Sequence, residues 1–453
     1  MAAETPTNNF IAITNENVSG IGEILSSPLS LFQSSCGASM SPVGQLQDKI
    51  SSLDLSLTIP KIPEFRVLGI PVGTSAFSGK YKLVLPDLQA LVEMAVALFI
   101  CITIGAILAA ILYHFALPPR QKSTGRTLLI GSIVCFISIV PYVLFDILGT
   151  QNTAVRFSIM APFVLYLFRT LEAAYGFYPI GADKSLRRYC LYFAAPGEVL
   201  FEQRVTRKEM MHCTIGVMKC AAVISTLCTL LSPFGYTPFG EISAGEFYEP
   251  ITVEHYLNPR HLGNCFVMAY FFQSALSIGN SSLGNLLQLV TGYRVLHTMK
   301  NPMLEATSPS DFWGRRWNVL VHVVLKRGVY KPVRTYASAL TASLAVFVAS
   351  GLFHEWIIHG VFLYNKQSEA KQGVILGSNS AFFVWNFVVI ACERMLVGTK
   401  GVQSLKKVLP RFMVTVIIIM SSLPFAHWFG GPYFNGNFFA DYETTFVPMI
   451  RKI

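Results

Sequence analysis

LVEMAVALFICITIGAILAAILY, residues 91–113, carries a single charged side chain, Glu93. As a helix this stretch would run about 34 Å at 1.5 Å per residue, enough to cross a hydrocarbon core of about 30 Å. Outward from it, apolar stretches recur at 127–148, 157–177, 213–231, 262–277, 283–295, 336–363, 374–396 and 412–429. The fifth and sixth of the series are short, with Gly279-Asn280-Ser281-Ser282 between them. They read either as one long broken span or as a span plus an interfacial helix. The expectation is an all-α, polytopic integral membrane protein with about eight or nine transmembrane helices. Composition agrees: of 453 residues, 52% are apolar and only 13% charged, and the mean hydropathy is +0.49. So little charge could not cover the surface of a water-soluble globule. So much apolar residue excludes a disordered scaffold.

The net charge is +10, from 35 Lys+Arg against 25 Asp+Glu. In a membrane protein this excess points to basic cytosolic loops rather than to nucleic acid, and no nucleic-acid partner is expected. Lys and Arg do concentrate in four segments, 120–126, 184–208, 300–334 and 400–411. The segment 232–261 instead carries Glu241, Glu246, Glu249 and Glu254. If 262–295 crosses once, all four basic loops share one face. That face is expected to be cytosolic, with residues 1–90 and the C-terminus lumenal. The chain then divides into a Ser-rich N-terminal region (1–90), a multi-span core (91–430, with its motif region at 311–359) and a tail (431–453). No basic-then-apolar signal peptide opens the sequence, so the first apolar span is expected to do the targeting. The Asn17-Val18-Ser19 sequon would lie on the lumenal side, where glycosylation occurs. The nine cysteines form no CxxC pair; no metal site is expected, and they read as small packing residues.

Ionisable groups at bilayer depth are costly and are therefore functional candidates. Glu93, Asp146 and Glu393 sit near predicted helix ends and read as helix-pairing residues. Arg169 and Glu172, three apart, read as a structural pair. His354 lies mid-span in Ala349-Ser350-Gly351-Leu352-Phe353-His354-Glu355, beside residues small enough for another helix or a substrate to approach. A neutral imidazole in a dry cavity can act as general base toward a hydroxyl. The same residue could equally be a buried histidine bonded to a neighbouring helix, and this segment alone leaves both readings open. His359 is five residues on, about 140° around the helix, so the pair is not a zinc protease motif, which needs a spacing of four. The chain has no His-x-x-x-Asp, no Gly-x-Ser-x-Gly, and a Gly73–Lys80 stretch whose spacing and Tyr81 rule out a P-loop.

The loop 310–318 reads SDFWGRRWN. Arg forks suit phosphate oxygens and Trp faces suit a membrane interface or an adenine ring. A basic amphipathic helix on anionic headgroups would have the same composition.

Asp311–Asn318 (DFWGRRWN) and, downstream, Ser350–Glu355 (SGLFHE) together resemble the membrane-bound O-acyltransferase superfamily in its wax-synthase-like branch. The resemblance implies a membrane-embedded tunnel in which an acyl group passes from acyl-CoA to a hydroxyl. It matches His354 to the family's catalytic histidine, the general base. Asn318 matches the second polar position, which would orient the donor or hold the oxyanion. Trp313, Arg315, Arg316 and Trp317 become candidates for the CoA entrance, Glu355 a supporting residue, and His359 and His427 structural. His322, four residues after Asn318, could sit beside it. Many wax-synthase-like members carry His at the position of Asn318, which departs from the wax-ester pattern. The chain most resembles fungal members that acetylate terpenoids and meroterpenoids. The expectation is therefore an endoplasmic-reticulum O-acetyltransferase of secondary metabolism, with acetyl-CoA as co-substrate, no permanently bound cofactor and a hydrophobic alcohol as acceptor. Long-chain wax-ester or sterol acylation is the alternative. A transporter built around an intramembrane His is the alternative of another class.

Overall fold

The computed structural model describes residues 56–60, 65–67, 70–72, 78–117, 124–234, 256–365, 374–397, 399, 408–436, 438–439, 441 and 447–452. The Asn17 sequon, most of the Ser-rich segment and Glu241 to Glu254 lie outside them.

The helices form where the apolar stretches stand, and polar residues set their ends. Asp87 opens α1 (Leu88–Phe115) by accepting hydrogen bonds from the amides of Gln89 and Ala90. After α2 (Thr124–Leu148), Asn152 caps α3 (Thr153–Tyr175), and Gly176, at φ 73°, closes it in the left-handed region. The short α4 (Leu186–Ala194) precedes α5 (Arg207–Leu231), which starts with a capping box between Thr206 and Glu209. The residues read as a broken or doubled span are one continuous helix, α6 (Pro259–Thr291). Just before the Gly279–Ser282 segment, Ser274 and Ser277 donate back to the carbonyls of Tyr270 and Gln273. At about 50 Å, α6 exceeds the hydrocarbon thickness and must tilt or protrude.

The C-terminal half holds α7 (Val319–Leu325), α8 (Ala339–Ile358), α9 (Ser378–Leu396), α10 (Arg411–Met420) and α11 (Ala426–Asn435). Among the described residues, seven helices are long and apolar enough to cross a membrane, α10 and α11 counting as one interrupted span. The short strands tie together segments far apart in sequence. β1 (Ser56–Ile59) and, after the hairpin of β2 (Phe65–Val67) and β3 (Ile70–Val72), β4 (Gly79–Val84) precede α1. β5 (Val199–Arg204) pairs with β6 (Tyr293–Val295). β4 pairs antiparallel with both β1 and the C-terminal β7 (Met449–Lys452), setting Tyr81 opposite Lys452. The start and the end of the helical core are therefore held side by side. α9 packs along α8 and is not among the seven candidate spans.

Burial ranks the helices. In α3, 72% of the most apolar window is buried, against 17% in α5, so α3 is central and α5 peripheral. Phe99, Ile139 and Met218 face outward from α1, α2 and α5, an apolar surface suited to lipid. The buried charges follow a different pattern from the expected Arg169–Glu172 pair. Arg169 donates to the carbonyls of Phe193, Ala195 and Gly197, holding the turn after α4. Glu172 accepts from Tyr192 and forms an ion pair with Arg327 at 3.0 Å. Arg327 also grips Glu198 with both terminal nitrogens, at 2.7 and 2.9 Å. A helix cannot reveal such partners by its own spacing, because they lie in other elements.

Replacing Arg327 by Met would leave Glu172 and Glu198 buried without their cation, a change that typically costs about 3–5 kcal/mol. The expected result is a lower thermal unfolding midpoint in detergent, partly restored by adding Glu172→Gln and Glu198→Gln. An unchanged midpoint in the single variant would show that the clamp carries no load.

Candidate active site

Asp311 organises the DFWGRRWN segment. Its buried carboxylate accepts from the amide and hydroxyl of Thr307, both at 3.0 Å, and from Nε of Arg315 and of Arg316, both at 2.8 Å. Burial alone would push this carboxyl up; the hydrogen bonds from Arg316, Thr307 and Arg315 outweigh it and hold the group at about 2. It therefore stays ionised, and the knot stays closed, as pH falls through the usual carboxylate range. Around it Phe312–Arg316 winds into a π-helical turn, and Trp317 stacks on Phe312 at 5.6 Å. Trp313 donates to Asn386 of α9 at 3.0 Å. Asn318 ends the turn in a left-handed conformation, φ 40°, and its side-chain oxygen accepts from the Val321 amide at 3.4 Å, capping α7. That leaves its amide nitrogen as a donor with no partner among the described residues.

His354 sits on α8 with Nδ1 2.7 Å from the carbonyl oxygen of Ser350. A carbonyl only accepts, so Nδ1 carries the proton and the neutral ring offers Nε2 as a lone pair. The ring is packed between Phe353 and Phe383, at 4.1 and 4.7 Å, with the edge of Phe429 at 5.2 Å. The following residue, Glu355, turns to α9 and accepts from the Ser380 amide at 2.9 Å. It thereby acts as the cap that Gly377 cannot supply by a side chain. α8 and α9 touch closely here: a Cβ on Gly351 would lie 2.8 Å from Cα of Ser380. At the far end of α8, the fully buried Arg156 donates to the carbonyl oxygens of Gly360, at 3.4 Å, and Tyr364, at 2.6 Å.

His354 and Asn318 line one cavity of about 890 Å³, whose walls are mostly apolar and aromatic. Trp313 and Trp317 line it too. Arg315 and Arg316 do not: both bind Asp311, and Arg316 also reaches Glu305 and the Lys300 carbonyl. His322 lines the cavity beside Gly314, and Glu355 stands outside its lining. His359 bonds Tyr142. His261, Cys265 and His427 bring possible metal ligands within 4.8 Å of one another, yet both imidazoles lie at 2.9–3.0 Å from the Pro424 carbonyl oxygen, so the cluster is already tied together by hydrogen bonds. Glu93, Asp146 and Glu393 each hold a neighbouring group: Gln89; Tyr364 and Asn365; Ser310. The sequence reading missed Arg156, the aromatic shell of His354 and Asn386. Asn379 and Asn386, seven apart in an apolar run, were the available signal for the inward face of α9.

Residues 296–385, which contain both motifs, match the membrane bound O-acyl transferase family. Among relatives, a probable long-chain-alcohol O-fatty-acyltransferase of Arabidopsis thaliana is 38% identical over 31% of this chain and 40% of its own length. A second protein of that description from the same plant is 25% identical over 70% of this chain and 85% of its own length. An acyl-CoA–sterol O-acyltransferase of Arabidopsis thaliana is 44% identical over 12% of this chain and 17% of its own length.

Gly351→Ala would press a methyl group into the α9 backbone at Ser380. The expected loss is about 1–3 kcal/mol, together with disturbed packing of Phe383 on His354. The change is read as a lower unfolding midpoint with partial loss of activity. A stable, fully active Gly351→Ala protein would show that α8 and α9 need not approach so closely.

Proposed function

From membership of the membrane-bound O-acyltransferase superfamily, in its wax-synthase-like branch, we propose that this chain transfers the acyl group of an acyl-CoA to the hydroxyl of an apolar alcohol inside the 890 Å³ cavity. The observation that carries the reading is the tautomer of His354: Nδ1 is bound to Ser350, and the remaining lone pair belongs to a residue that lines the cavity. Nε2 takes the proton of the acceptor hydroxyl as its oxygen attacks the thioester carbon. The amide nitrogen of Asn318 donates to the oxyanion. When the tetrahedral intermediate collapses, the carbon–sulfur bond breaks and the departing thiolate takes the proton from the His354 imidazolium. Ester and free CoA result.

For the finer identity we propose acetyl-CoA as donor and a terpenoid or meroterpenoid alcohol as acceptor. The support is the resemblance to fungal acetyltransferases and a cavity near the upper end of the usual range for small-molecule sites, walled by rings that suit a bulky polycyclic acceptor. Membranes carrying the protein, given labelled acetyl-CoA or palmitoyl-CoA with a panel of terpenoid, sterol and long-chain alcohols, should yield labelled terpenoid acetate. A product formed only from palmitoyl-CoA and a long-chain alcohol would replace the acetyl assignment. In the productive assay, His354→Ala should lower turnover by about 10²–10⁴-fold. Asn318→Ala should lower it by about 10²–10³-fold. Near-normal turnover in a normally accumulating His354→Ala protein would sink the mechanism.

The four basic loops are proposed to face the cytosol from the endoplasmic reticulum membrane, where acyl-CoA is available. In sealed vesicles, a protease should reach segment 300–334 from the cytosolic side; cutting from the lumenal side alone would reverse the orientation.

A further inference from the structure

We infer that Gly279, Asn280 and Ser282 of α6 recognise the acceptor, and that the acceptor carries a second neutral oxygen, a hydroxyl or a carbonyl, besides the hydroxyl that is acylated; this rests on the acyl-transfer reading above. The three residues belong to the stretch that reads as a helix break in the sequence. α6 nonetheless runs through it unbroken, although Gly, Asn and Ser are weak helix formers. Asn280 stands about 16 Å along the helix from its end at Thr291. Polar residues so far inside an apolar span call for a reason other than folding.

Hydrogen bonding sets these residues apart from their neighbours. Ser274, Ser277 and Thr291 donate to carbonyl oxygens one turn back on the same helix. Gln273 accepts from the Met303 amide, Asn285 donates to Thr214 of α5, and Gln288 both donates to Asn285 and accepts from the Val295 amide. Asn280 and Ser282 make no hydrogen bond among the described residues, and both line the cavity. An amide and a hydroxyl left unpaired in apolar surroundings are costly, and a ligand that pairs with them recovers that cost.

Gly279 completes the site. At 100° per residue, Asn280 lies about 100° to one side of it and Ser282 about 60° to the other. Gly279 also lines the cavity, and a Cβ there would meet nothing beyond its own stretch of helix within 4 Å. Packing therefore does not require glycine at this position. Its effect is to leave open backbone between an amide and a hydroxyl, where a ligand oxygen can come close. α6 contributes no Lys, Arg, Asp or Glu to the lining, so the oxygen it suits is neutral. The other α6 residues of the wall, among them Met268, Phe272, Ala275 and Leu283, are apolar and suit a hydrocarbon body. Asn280 offers two donors and an acceptor, and Ser282 a hydroxyl. A diol or keto-alcohol on a branched or polycyclic skeleton satisfies this wall. An unbranched primary alcohol leaves it unpaired, and a site built for a hydrogen bond rejects the analogue that lacks it.

The test uses membranes carrying the full chain, labelled acyl-CoA, and paired terpenoid or sterol acceptors: a diol or keto-alcohol beside the mono-alcohol of the same skeleton. The wild type should favour the doubly oxygenated partner about tenfold in kcat/KM. Asn280→Leu and Ser282→Ala should each raise KM for that partner several-fold, with kcat within twofold, KM for acyl-CoA unchanged and the mono-alcohol used as before. Gly279→Ala separates recognition from folding. Alanine is the better helix former, so the unfolding midpoint should hold or rise while KM for the doubly oxygenated acceptor increases. Ser281→Ala, outside the cavity lining, is the control and should change neither. Equal use of the two partners by the wild type would overturn the inference, as would an undiminished preference in an Asn280→Leu, Ser282→Ala double variant. Acylation of unbranched primary alcohols alone would remove the second oxygen and leave acyl transfer standing. Failure to acylate any alcohol would instead remove the reading on which the site depends.

Discussion

Arg327 carries the structure's most consequential interaction. It lies between Glu198, just before β5, and Glu172 on α3, with both carboxylates almost wholly buried. It can reach them because the next residue is Gly328, where a Cβ would stand 2.9 Å from the Phe168 carbonyl oxygen. The turn after α7 thus lies directly on the backbone of the most buried helix. The other end of α7 is held by the Asp311 knot. Asn318 and His322 are suspended between two ionic clamps, which set their places in the cavity wall. A buried ion pair is weak evidence of stability in itself; these contacts anchor the two ends of α7.

α8 is positioned by the same logic with different groups. Glu355 supplies a negative charge to the start of α9, and Arg156 collects the carbonyls freed by the π-helical turn His359–Leu363. Three π-helical turns, at 312–316, 326–330 and 359–363, border the cavity-forming segments. Each frees or redirects backbone groups that a side chain or a local turn then satisfies. The charges within the helical core therefore set positions, while the groups proposed to react, His354 and Asn318, carry no charge of their own.

Much of this was legible in the sequence, for identifiable reasons. Span positions follow from long apolar runs, because a bilayer demands them locally. The two motifs follow from residue order. Three features were not legible in that way. α6 runs unbroken through Gly279–Ser282, although Gly, Asn and Ser are weak helix formers. The partners of Arg169, Glu172 and Arg327 come from elements far apart in sequence. The division of labour among basic residues depends on which of them meets a carboxylate: Arg315 and Arg316 look like phosphate ligands until Asp311 is seen to hold both. Lys326 and Arg394 look ordinary until the cavity reaches them.

The choice of partner for His354 explains why its neighbour is a glutamate that looks away. A carboxylate on Nδ1 would fix the same tautomer, but it would place a second charge in an apolar shell of Phe353, Phe383 and Phe429, where an ionised group is costly unless fully paired. The Ser350 carbonyl fixes the tautomer without that charge, because the helix already carries it one turn away. Glu355 sits one residue, about 100°, around the helix, so its charge meets the amide end of α9 instead. In the proposed mechanism the imidazole stays uncharged until a substrate proton arrives. The imidazolium would then be matched by the oxyanion forming on the substrate, so both charges would exist together and only during the reaction. A neutral histidine can occupy bilayer depth on these terms, while the charge of Glu355 is spent on the Ser380 amide.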